Sequence, residues 1–262
     1  MTRAALPAAG DGPRFVRLLS GLAALKNEPT PAGFTESMEA LIGFAQSMKL
    51  AMLHDELAAT EYVASPEPVS YETLMHEVLE VRQALIRGVL QSFEPAAAPS
   101  RRQLPRPGAD VPDEALLTFE PYHRFYAAHQ REFDARIHRL QLRVREALSG
   151  RSASLARLVA LDENLRELVS AQTRKSLAAI PNLLGRRFDA LLKAAQGRDR
   201  QDGDDEVDTP GNAPGATAFG AEGWLQGFYR DMQDLLLAEL DLRLMPVLGL
   251  VEAVEEEVTR EQ

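Results

Sequence analysis

From Pro121 to Gly150 no glycine or proline interrupts the chain, and apolar or aromatic side chains return at steps of three and four. They are Tyr122, Tyr126, Phe133, Ile137, Leu140, Val144 and Leu148, with His129 filling the gap in the stripe. This spacing matches the helical turn and not the two-residue repeat of a strand, so it specifies a long helix with one face against a partner. Pro121 suits a helix start, where its missing N–H is not needed, and Gly150 suits a helix end. Ser152 then offers an N-cap for a next helix with Leu155, Leu158, Val159, Leu165, Leu168 and Val169 as its apolar face. So short a connection folds the two back as an antiparallel hairpin, over about residues 121–149 and 152–180. A turn near residue 150 sets His129 across from Gln172, which predicts a polar contact or near approach between them. Asp162, on the inward side, is expected to pair with an Arg of the preceding helix.

The same periodicity marks further helices. Phe15 to Leu25 reads as a short first one, and Phe34 to Leu57 as a second with Thr35 as N-cap. Ser70 caps a third, which runs to about Gln91 with Leu74, Val78, Val81 and Leu85 on one side. Pro181 is expected to kink or restart the chain, giving a helix to about Ala195. Trp224, Phe228, Met232, Leu235, Leu236 and Leu240 mark a later helix, which Pro246 interrupts before Val247, Leu250, Val251 and Val254 continue it. Leu240 to Leu244 alternates like a strand, but helix formers surround it and no partner strand is visible, so it reads as helix. The expectation is an all-α, multi-helix bundle, a single domain over 1–262, built on the long hairpin and closed by a kinked C-terminal helix pair.

Four stretches fall outside this pattern. Residues 1–13 read as a flexible N-terminus. Residues 94–112 carry five prolines and read as a loop. Residues 197–218 lack large apolar side chains and read as an acidic disordered loop. Residues 252–262 read as an acidic tail. The formal charge is −10, and residues 197–208 and 252–262 each hold a net −4, which leaves the remainder near neutral. Attraction of the whole chain to nucleic acid or anionic lipid is therefore not expected. The longest uncharged apolar runs, Ala40–Met48 and Leu244–Val251, reach half a bilayer, so direct membrane insertion is not expected and a cytoplasmic protein is. Cysteine is absent, which excludes disulfides, thiolate metal sites and cysteine nucleophiles.

Chemistry-bearing patterns are sparse. Glu120-Pro121-Tyr122-His123 matches one half-site of a di-iron carboxylate bundle, but no second copy exists and Pro121 is expected to leave Glu120 outside the helix. His76 and Glu80 stand one turn apart without the second His of a zinc protease, and read as a solvated helix face. Asp202 to Asp208 has the charge of a calcium loop without its glycine or its twelfth-position acid. No phosphate-binding loop and no nucleophile elbow occur. Neither a catalytic residue nor a cofactor or metal is assigned. Arg136, Arg139 and Arg143 line one flank of the long helix as a candidate strip for an acidic partner, weighed against pairing with Glu132 and Glu146. No aromatics interleave them, which argues against nucleic acid. Trp224 and Phe228 are the other candidate partner-binding residues, on a face that would equally serve a homo-oligomer.

Phe228-Tyr229-Arg230-Asp231-Met232-Gln233, Leu236 to Leu244, Pro246-Val247 and Gly249-Leu250 form a distinctive segment. With Phe15 to Leu19, Leu155 to Asp162 and Arg186-Arg187-Phe188, it resembles an uncharacterised proteobacterial family, the domain of unknown function 3348. The resemblance carries no catalytic or binding residue. It implies a cytoplasmic accessory to an envelope assembly of OmpA-like or MotA-like membrane proteins. The leading expectation is a non-enzymatic helical scaffold or adaptor with a protein partner. The alternatives are an enzyme or metal-binding bundle with a pocket between helices, and a homo-oligomeric structural protein.

Overall fold

A computed structural model of the protein describes Leu18 and residues 62–95, 103–106, 116–202 and 222–261, with backbone only at 168–176, 198–202, 222 and 260–261. Four helices are bounded within them: α1, Tyr71–Ser92; α2, Glu120–Ser149; α3, Ala153–Asp202; and α4, Glu222–Glu261. No strand occurs among the described residues. None of the described helices is long and apolar enough to cross a membrane. Leu18 is helical and packs against the core. The rest of Phe15–Leu25, all of Phe34–Leu57 with Thr35, and residues 1–13 lie outside the described residues.

The helix ends follow local chemistry. Ser70 is extended, and its Oγ accepts from the Thr73 N–H at 3.2 Å. Pro121 lies in the first turn of α2, which begins at Glu120, and Gly150 caps its end. Ser152 Oγ accepts from the Leu155 N–H at 3.1 Å and starts α3. The α2 stripe is buried in full, and Phe125 joins it. Helix α4 buries Trp224, Leu225, Phe228, Tyr229, Met232, Leu235, Leu236 and Leu240 on several sides. A helix apolar around most of its circumference belongs inside a bundle, and α4 packs against α1, α2 and α3.

Two prolines do less than their chemistry suggests. α3 passes through Pro181 to Asp202, and α4 passes through Pro246 to Glu261. The C-terminal pair read from the sequence is thus one helix, and it includes Leu240–Leu244 and the acidic tail to Glu261. An interior proline costs about 3 kcal/mol. Beyond Pro181 the chain buries Leu184 and Phe188, and beyond Pro246 it buries Val247, Leu250, Val251 and Val254. Each such side chain gains roughly 1.5–3 kcal/mol, so packing outweighs the lost bond. α3 also takes in residues 197–202 of the stretch read as disordered. Residues 203–221 lie outside the described ones.

Of the proline-rich stretch, residues 94–95 and 103–106 are among those described, and residues 103–106 are docked. Leu104 is buried, its N–H donates to Ser92 O at 2.9 Å, and the Tyr229 hydroxyl donates to Pro105 O at 2.9 Å. Arg106 lies over the Tyr229 ring and donates to Phe93 O.

The hairpin register differs from the expected one. Arg145 pairs with Asp162, and Gln130 Nε2 donates to Leu177 O at 3.2 Å. Both contacts follow one alignment, which sets position 129 level with residues near 178, about 9 Å along the axis from Gln172. The midpoint of the reversal falls in the first turn of α3 rather than at residue 150. The Gln172 side chain is outside the described residues. Leu165, read as part of the α3 apolar face, is exposed.

Candidate functional site

Trp224 and Phe228 are interior residues. Their rings lie 5.5 and 5.3 Å from that of Phe188, and Phe228 lies 5.4 Å from Tyr122. Phe119 completes this cluster between α2, α3 and α4. It reaches α3 over Gly185, where a Cβ would stand 3.0 Å from Phe119 Cδ1. The reading of Trp224 and Phe228 as a partner surface is corrected by this burial: large aromatics at helical spacing supply core area first. A homo-oligomer would have to use other residues.

The arginine flank of α2 divides. Arg136 pairs with Glu132 at 3.2 Å, and Arg143 reaches Glu77 of α1 at 3.7 Å. Arg139 is exposed and donates to Ala135 O within its own helix. Elsewhere, Glu120 pairs with Arg124, and His76 pairs with Glu80 on an exposed face. No group of three metal-ligating side chains occurs among the described residues.

Each helix seam carries its own polar tie. Arg82 donates to Asp241 across α1 and α4 at 2.9 Å, and Arg187 to Asp231 across α3 and α4 at 2.9 Å. The expected Asp162 partner is Arg145, whose side chain is almost fully buried between α2 and α3. Arg145 Nη1 is buried without a hydrogen-bond partner among the described residues.

The tie between α2 and α4 is the most enclosed. Glu239 is fully buried. Its carboxylate accepts from the Tyr126 hydroxyl at 2.8 Å, from Gln130 Nε2 at 3.0 Å, and from Arg243 Nε and Nη2 at 2.8 and 2.6 Å. Arg243 also pairs with Asp134. Every partner is a donor, so the lone pairs of a buried acid are answered on both oxygens. Burial, and then the charge of Glu239, hold the Tyr126 phenol far above its usual ionisation range. Sequence reasoning missed this group. Glu239 followed four residues later by Arg243 looks like a solvated helix pair, and the signal against that was its place between Leu236, Ala238 and Leu240.

His129 meets Ser92 of α1. Ser92 Oγ donates its single proton to Val89 O at 2.6 Å, so the 3.0 Å contact with His129 Nε2 has the imidazole as donor. That proton direction is opposite to the one a serine nucleophile needs from its base. The Phe125 ring packs edge-on against the imidazole. Above this pair lies a cavity of about 380 Å³, lined by Ala84, Arg87, Gly88 and Gln91 of α1, by Glu132 and Arg136 of α2, and by Gln103.

Among known proteins, a family model described as "Protein of unknown function (DUF3348)" matches residues 1–256. No curated protein and no solved structure matches the chain.

Proposed function

The chain belongs to the DUF3348 family, and we propose that it is a non-enzymatic helical scaffold or adaptor, working in the cytoplasm beside an envelope assembly. The observation that carries this reading is the use made of Glu239. The most enclosed acid among the described residues is tied to Tyr126, Gln130 and Arg243, and its acceptors serve helix alignment rather than a substrate. The paired Arg and acid side chains at the other seams support a rigid body that presents outer faces to a partner. The exposed Arg139, with Arg143 beside it, is the face we assign to an acidic partner segment.

The test is affinity capture from the native host with the tagged chain and with Arg139→Glu/Arg143→Glu, read by mass spectrometry. The reading expects a partner that the double variant loses while its helix content is unchanged. An identical set of captured proteins from both, or stoichiometric iron, manganese or zinc in the purified chain, contradicts it.

A further inference from the structure

Beyond a scaffold role, the seam between α1 and α2 holds a feature that helix packing does not require. Ala84, Arg87, Gly88 and Gln91 share one face of α1, and His129, Glu132 and Arg136 share the facing side of α2. Packed helices close such a seam with interlocking apolar side chains. Here small residues on one helix face polar ones on the other, and about 380 Å³ stays open. A Cβ added at Gly88 would meet nothing within 4 Å. The volume falls within the range of about 300–1,000 Å³ typical of small-molecule sites.

The lining sets the sign of the ligand. Glu132 is matched by Arg136, and Arg87 makes no ion pair among the described residues, which leaves the cavity net positive. A guanidinium fork matches the oxygens of phosphate or carboxylate. Gln103 stands at the edge, held there by its Nε2 donating to Glu94 O. The Ser92–His129 pair closes the floor.

We propose that this cavity binds a small molecule through a phosphate or carboxylate group, which Arg87 and Arg136 hold between α1 and α2. The site is independent of the partner face at Arg139 and Arg143.

Isothermal titration of the full chain at low ionic strength tests this, with inorganic phosphate in one arm and succinate in the other. At least one probe is expected to bind saturably, with Kd at or below about 1 mM, and the arm that binds identifies the group. Arg87→Gln is expected to weaken binding about tenfold. Gly88→Leu fills the open space and replaces a poor helix former, so it is expected to abolish binding while Tm holds or rises. Arg131→Gln, on the exposed face of α2 outside the cavity, and Arg139→Glu/Arg143→Glu are expected to keep it. Saturable binding of neither probe, or undiminished binding to Gly88→Leu, overturns the proposal.

Discussion

The Tyr126 hydroxyl donates to Glu239 Oε2 at 2.8 Å across the α2–α4 seam, and both side chains are closed off from water. A directional bond in a low-dielectric seam fixes the rotation and the height of one helix against the other. Apolar packing alone tolerates small slips, whereas a buried acid that slips loses its partners and keeps its desolvation cost.

Glu239→Gln puts an amide NH2 where donors converge. Losing one acceptor oxygen there is expected to destabilise the fold by about 2–4 kcal/mol. Urea unfolding checks this, with a lower midpoint and an unchanged slope.

Stability is expected to decline above pH 10. Tyr126 ionises far above the ordinary value of 10.0 in the folded chain, first because it is buried and then because Glu239 faces it; Tyr122 and Tyr229 are also raised, chiefly by burial. Below pH 10 folded and unfolded chains both keep these protons, and the contribution is complete. Above it the unfolded chain releases them first, and each such tyrosine removes about 1.4 kcal/mol per pH unit. Urea titrations at rising alkaline pH measure this decline, and Tyr126→Phe is expected to make it shallower.

The buried pair of Arg145 and Asp162 separates polar matching from packing. Asp162→Ala strands a guanidinium whose Nη1 already lacks a partner among the described residues, and is expected to cost about 3–5 kcal/mol. Arg145→Met combined with Asp162→Leu is expected to recover most of that loss. Thermal unfolding of the single and double variants decides it.

Phe228→Ala is expected to destabilise by about 3–5 kcal/mol, as a core truncation does. The single Trp, Trp224, is buried, so its emission is expected to shift to longer wavelength on unfolding. Phe228→Ala should bring that shift to lower urea.

Much of this fold was legible because one stripe per helix is a one-dimensional signal. The α2 boundaries, the Ser70 cap and the Arg partner for Asp162 follow from spacing and capping chemistry alone. The hairpin register does not, because a turn residue fixes the reversal only to within a helical turn, and position 129 therefore stands level with residues near 178. Trp224 and Phe228 carry no mark in the sequence that separates a buried face from a partner face. Pro181 reads as a kink or restart and Pro246 as an interruption because their cost is local, while the packing that carries both helices through comes from distant helices. The cavity at Gly88 needs two helices side by side before the small residues on one can be seen to face polar residues on the other.

The central claim is that buried polar side chains, led by Tyr126 and Glu239, lock the helices of this bundle in place. A double-mutant cycle of Tyr126→Phe and Glu239→Gln, read by urea unfolding, tests it most directly. The predicted result is a coupling above about 1 kcal/mol between the two sites. Effects that add to within about 0.5 kcal/mol would contradict the account.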